Sequence, residues 1–190
     1  MQRKSFGNMQ CPVARSLERV GEWWSILILR DAGHGLSRFD EFQKSLDIAP
    51  NMLTKRLQAL VESGLLEKRR YSERPPRYEY VLTDLGREFR PVLVALTAWG
   101  NRHFAPEGQS VQLVNSQTGE LADPVLVARK TGVPIESSSY VFKAGPAANE
   151  RMRWRLEFAA ARRRNEAPAA DLAWGEYVRA RKSKKKARHA

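Results

Sequence analysis

The sequence predicts a mainly α-helical fold carrying one β-hairpin, followed by a small β-containing extension and a terminal helix. Three observations point there. Apolar residues recur at helical spacing in successive segments up to Gly64, the period changes to two on either side of a proline-rich turn, and a long helical stripe begins after Thr83.

Pro12 suits a first helical position, and Val13, Leu17 and Val20 follow at helical spacing until Gly21 ends the stripe. Trp24, Leu27 and Ile28 define a second helix, closed by Gly33-His34-Gly35. Ser37 resembles an N-cap with Asp40 and Glu41 in the first turn, so a third helix begins near it, with Phe39, Phe42 and Leu46 on its apolar face. After a tight turn from Asp47, Pro50 opens a fourth helix. Leu53, Leu57 and Leu60 fall at i, i+4 and i+7, and Ser63-Gly64 supplies the stop.

Beyond Gly64 the residues Leu66, Lys68 and Arg70 alternate with Glu67 and Arg69. After Pro75-Pro76, Tyr78, Tyr80 and Leu82 alternate with Arg77, Glu79 and Val81, which predicts a hairpin with a basic tip. Thr83-Asp84 caps a helix whose stripe Leu85, Phe89, Val92, Leu96, Trp99 and His103 lasts about five turns. That is more apolar helix than a small domain needs for itself. Leu85, Phe89, Val92, Leu96 and Trp99 are therefore the expected seam of a homodimer.

These elements place one domain over residues 1–104. Val111, Leu113, Val125, Leu126, Val127 and Val141, set among turn residues, suggest an accessory β region of two or three short strands over 105–145. Trp154, Leu156 and Phe158 lie in an Arg-rich helical segment over 146–180, broken at Ala167-Pro168, and a basic tail over 181–190 is expected to be disordered. No internal repeat is evident.

The chain has 190 residues with 33 Lys and Arg against 21 Asp and Glu, and a net charge of +12 favours a polyanionic partner, nucleic acid first and an anionic membrane surface second. No apolar run approaches the roughly 20 residues of a membrane span, so a cytoplasmic protein with no membrane partner is expected. One cysteine and three scattered histidines argue against disulfides and metal sites, and no cofactor is indicated. No phosphate loop, nucleophile elbow or dinucleotide fingerprint appears, so an enzyme is not expected.

Two helices joined by a tight turn and followed by a basic hairpin form the layout of a winged helix-turn-helix. The second helix of such a pair enters the major groove N-terminus first, so its early polar side chains meet bases and phosphates. Pro50 starts that helix, and Asn51, Thr54, Lys55 and Gln58 share its polar face. Arg38 stands at the start of the preceding helix, where it can hold a phosphate. Arg69, Arg70, Arg74 and Arg77 of the hairpin can reach flanking backbone or minor groove. The plainer alternatives are a solvated helix face and an ordinary charged hairpin; the joint occurrence of turn, helix and hairpin favours DNA. Trp23, Trp24 and Trp99 are read as core residues in preference to a ligand cage.

Several blocks, in order, resemble the HxlR regulators: Cys11-Pro12-Val13-Ala14-Arg15, Ile28-Leu29-Arg30-Asp31, Arg38-Phe39-Asp40-Glu41-Phe42, Ile48 to Leu57, and Tyr71 to Thr83. The resemblance covers roughly residues 8–104. It implies a homodimeric winged-helix transcription regulator, with repression the expected sign and a palindromic operator the expected target. It also implies that Cys11, matching a sensor cysteine of some relatives, is a candidate redox residue, and that an effector small molecule or an oxidant is a further partner. The helix opening at Pro12 would favour its thiolate. The competing view of Cys11 as a small buried residue is favoured, because cysteine is among the most often buried residue types. A winged helix used as a protein or RNA interaction module is the alternative function.

Overall fold

The computed structural model describes residues 9–136 and 139–164. The described residues fall into two compact units, one comprising Ser16–Pro134 and the other residues 9–15 with 135–164. The tail over 181–190, the Ala167-Pro168 break and the rest of the segment after residue 164 lie outside the described residues.

The first unit is mainly helical with a two-stranded antiparallel hairpin. Its order is the end of α1 (Pro12–Val20), α2 (Trp23–Gly33), α3 (Phe39–Leu46), α4 (Pro50–Glu62), β1 (Leu66–Ser72), β2 (Arg77–Leu82), α5 (Asp84–Arg87) and α6 (Arg90–His103). The apolar stripe of α4 turns Leu53, Leu57 and Leu60 fully inward, where they join Ile28 and Leu29 of α2, Phe42 of α3, Ile48, and Leu65 and Leu66 at the start of β1. Each such side chain contributes about 1.5–3 kcal/mol by leaving water. This is what holds α4 with its other face outward.

Polar contacts set the angle between the helices. Asp31 of α2 is 3% exposed, yet its carboxylate accepts from Ser45 Oγ of α3 at 2.7 Å and from Arg30 Nε at 2.8 Å, so the buried charge is paired. Asp47 takes a left-handed conformation with φ 48° in the turn between α3 and α4. Pro50 then occupies the first helical turn of α4, where its missing N–H costs nothing.

The start of α3 differs from expectation by one residue, for Arg38 and not Ser37 is the N-cap. Glu41 does the capping instead: its carboxylate accepts from the backbone N–H of Ser37 at 2.8 Å and of Arg38 at 2.9 Å. Ser37 is thereby released for the hairpin. Its carbonyl accepts from Tyr80 N at 2.6 Å, and Arg38 forms an isolated bridge with Glu79. The hairpin register runs from Leu66 opposite Leu82 to Ser72 opposite Arg77, with an irregularity between Arg70 and Ser72.

The helix expected to run unbroken from Asp84 to His103 is two helices. Pro91 is the physical reason, since continuing α5 would press its ring against the carbonyl of Arg87. The break turns Phe89 onto the core, while Leu85, Val92, Leu96 and Trp99 stay exposed. Phe89 therefore leaves the stripe on which the sequence placed it.

The region after α6 is not made of strands. Two isolated bridges, Val114 to Leu121 and Val127 to Pro134, are all the pairing it shows among the described residues. They close two copies of one turn, so the sequence does hold an internal repeat. Val114-Asn115-Ser116-Gln117-Thr118-Gly119 recurs as Val127-Ala128-Arg129-Lys130-Thr131-Gly132. In each copy the second residue's N–H donates across the turn at 2.8 Å, to Glu120 O in one and Val133 O in the other. Its carbonyl accepts from the glycine N–H, again at 2.8 Å. The glycines sit at φ 71° and 69°, where side chains are strained. Only Val, Thr and Gly are common to both copies, which is why the repeat is inconspicuous in the sequence.

In the second unit, Asn149 caps α7 (Glu150–Arg163) by accepting from Met152 N at 2.9 Å. Trp154 and Phe158 pack with ring centroids 5.6 Å apart on that helix.

Candidate nucleic-acid interface

With its leucines buried, α4 presents Pro50, Asn51, Thr54, Lys55 and Gln58 to solvent. Their side chains are not equally available. Thr54 Oγ1 donates to the carbonyl of Pro50 at 2.9 Å, and Gln58 Nε2 donates to Glu62 Oε1 at 2.9 Å. Asn51 and Lys55 make no such bond among the described residues and are free to meet a ligand. Arg56, next to them in sequence, turns away to pair with Glu22 at 3.0 Å and is structural.

The hairpin gathers cations beside this helix pair. Arg38 lies over the ring of Tyr71, 4.8 Å from its centroid, and Lys68 lies over Tyr78 at 4.2 Å. Arg69 pairs with Glu67 at 2.9 Å, which raises the arginine's pKa and lowers the glutamate's. Arg70 reaches the carbonyls of Ser72 and Glu73 and stiffens the turn. Arg74 and Arg77 are exposed with no ion-pair partner among the described residues. Of the four hairpin arginines, Arg74 and Arg77 are the least committed to the protein's own groups.

Sequence reasoning missed Lys68, Tyr71 and Tyr78. Alternation could have placed Tyr71 on the same strand face as Arg69. Nothing local, however, links Tyr71 to Arg38, thirty-three residues earlier; the bond from Tyr80 N to Ser37 O brings them together.

The proposed dimer stripe is exposed in the single chain: Leu85 at 50%, Val92 at 47%, Leu96 at 42% and Trp99 at 56%. Cys11, in the second unit, is buried, and Arg155 Nη2 lies 3.7 Å from its sulfur. The backbone N–H of Ala14, then that guanidinium, pull its thiol pKa down against the opposing effect of burial. Among the described residues no helix is long and apolar enough to cross a membrane, and no cluster of His, Cys, Asp and Glu suits a metal ion.

A buried-leucine helix following a tight turn, with a hairpin docked on the preceding helix, defines a winged helix-turn-helix, the fold of a transcription regulator. The model of the HxlR-like helix-turn-helix family matches residues 19–108. The HTH-type transcriptional regulator Rv3095 of Mycobacterium tuberculosis is 40% identical over 135 residues, spanning 70% of this chain and 85% of its own. A solved Pseudomonas aeruginosa chain, PA1374, proposed to be a transcription factor, is 61% identical, with TM-score 0.57, over 77% of this chain and all of its own. PA1607, likewise proposed to be a transcription factor, is 40% identical, with TM-score 0.67, over 75% of this chain and all of its own. The chain belongs to the HxlR-like helix-turn-helix family of transcription regulators.

Proposed function

We propose that the protein binds an inverted-repeat operator in cytoplasmic double-stranded DNA as a homodimer and represses the adjacent gene. The observation that carries this reading is the exposed face of α4, where Asn51 and Lys55 stand uncommitted at the helix start. In a major groove these are the positions that meet base edges, Asn with adenine and Lys with guanine. Arg38, Arg69, Arg70, Arg74 and Arg77 would fix register through phosphates. Exposed Leu85, Val92, Leu96 and Trp99 supply the dimer seam, which sets two copies of α4 about 34–36 Å apart, or a multiple of that.

Selection of binding sites from random duplex DNA at fixed salt tests this. The expected product is an inverted repeat whose half-sites recur at a helical-turn spacing. Equal retention of all duplexes, or preferential retention of RNA, would replace this reading by that of a general interaction module.

A second reading concerns Cys11. The Ala14 N–H and the Arg155 guanidinium both favour its thiolate, which supports a role as an oxidant-responsive thiol modulating DNA binding.

A further inference from the structure

The first unit holds a cavity of about 1000 Å³ that the DNA-binding reading does not use. It lies among the end of α2, α5, α6 and the segment up to Pro124. Its size is at the upper end of the roughly 300–1,000 Å³ that small-molecule sites occupy. Leu29, Leu93, Val94, Leu113 and Leu121 give it apolar walls.

Its outer wall is fastened in place. Asn101 Nδ2 of α6 donates to Val111 O at 2.8 Å, and Arg102 of α6 pairs with Asp123 at 3.6 Å. Between those two ties the first copy of the repeated turn is closed by its own bonds, Ala122 N to Leu113 O and Asn115 N to Glu120 O, each 2.8 Å. The cavity therefore has a fixed outer wall tied to α6 and stays open to solvent.

Its charge is lopsided. Arg30, Arg87, Arg90 and Arg102 line it against Glu107 and Asp123. Three of these arginines are engaged, with Asp31, Asp84 and Asp123 respectively. Arg90 has no carboxylate partner among the described residues. An uncommitted cation in the lining of a largely apolar cavity fits a ligand with an apolar body and one anionic group. A second copy of the chain is not the natural occupant: Leu93, Val94, Thr97 and Asn101 face the cavity, whereas Val92, Leu96 and Trp99 lie on the opposite side of α6.

We propose that this cavity is a binding site for an amphipathic organic anion, held by its apolar body between α2, α6 and the 105–124 segment and by its charge on Arg90. The test is fluorescence titration of the full chain with 8-anilinonaphthalene-1-sulfonate and with its uncharged analogue N-phenyl-1-naphthylamine. Saturable binding of the sulfonate at one per chain is expected, with the neutral analogue about tenfold weaker. Arg90→Glu, at an exposed position, should weaken the sulfonate about tenfold and leave the neutral probe unchanged. Ala98→Trp or Thr97→Tyr, which put bulk into the α6 wall of the cavity, should weaken both. If Ala98→Trp lowers the melting temperature, Thr97→Tyr and Arg90→Glu decide the matter. Non-saturable binding, or sulfonate binding unchanged by Arg90→Glu and by the bulky α6 variants when these are stably folded, would overturn the proposal. The titration contains no DNA, so its failure leaves the operator reading standing, and failure of site selection leaves the cavity standing.

Discussion

The guanidinium of Arg38 lies over the ring of Tyr71, 4.8 Å from its centroid, and so couples the first turn of α3 to the hairpin. The same junction carries the Tyr80 to Ser37 backbone bond and the Arg38 to Glu79 bridge. An exposed contact of this kind contributes about 0.5–1 kcal/mol. Tyr71→Ala should cost about that much stability, and the Arg38→Ala/Tyr71→Ala double mutant should show a coupling energy in denaturant titrations. On DNA, Arg38→Ala and Arg77→Ala should each weaken binding to all sequences and lower the salt slope by about one unit. A loss confined to one sequence would mean these residues read bases.

Glu41 replaces a hydroxyl cap at the start of α3. Two backbone N–H groups, from Ser37 and then Arg38, hold its pKa below the ordinary carboxylate value. A depressed folded-state pKa contributes stability that is present above the unfolded value and lost as pH falls through the folded one. Glu41→Gln should cost about 0.5–2 kcal/mol near neutrality. It should also flatten the acid limb of the stability curve, measured by urea unfolding across pH. An unaltered acid limb would show that the cap does not titrate.

Much of the fold is legible in the sequence because its signals are local. Pro50 with Leu53, Leu57 and Leu60 is enough to place α4 and to decide which face turns outward, and the Pro75-Pro76 turn between two short extended runs marks the hairpin. The misses share a different cause. Leu85 to His103 keeps helical periodicity across Pro91, and periodicity alone does not register a proline's clash with the carbonyl four residues earlier. Val125-Leu126-Val127 has strand propensity but no partner strand, and propensity without pairing yields only a turn closed by one bridge. In the candidate interface, the outward polar residues were legible. Whether a side chain is already spent was not, since Thr54 and Gln58 bond to Pro50 and Glu62 through contacts only the folded helix reveals.

Val92, Leu96 and Trp99 leave an apolar stripe in water in the single chain, and a second copy is the proposed cover. Sedimentation at micromolar concentration should give twice the chain mass. Leu96→Glu should give a folded monomer with weakened operator binding, because two half-sites would no longer be held together. A wild-type monomer that binds its operator tightly would refute the seam.

Cys11 should alkylate with a pH midpoint below that of the unfolded chain, since its pKa is lowered first by the Ala14 N–H and then by Arg155. Arg155→Ala should move the midpoint up. The rate of iodoacetamide labelling between pH 6 and pH 10, compared with a denatured control, reads both. A midpoint equal to the control's, unmoved by Arg155→Ala, would leave Cys11 as a buried small residue. Labelling that requires global unfolding would do the same.

The base preference of α4 decides whether this helix reads DNA. Wild type and the variant with Asn51, Thr54, Lys55 and Gln58 all changed to alanine are compared on the selected operator and on every single-base-pair change within it, at one salt concentration. In the single variants, Asn51→Ala and Lys55→Ala should each cost about 1–3 kcal/mol and relax one base pair, with smaller effects at Thr54 and Gln58, whose polar groups are engaged within the helix. The fourfold variant should keep its fold, because none of these side chains enters the core, and retain salt-dependent binding through the hairpin arginines with its sequence preference gone. An unchanged preference in the folded fourfold variant would contradict the assignment of α4 as the element that reads DNA.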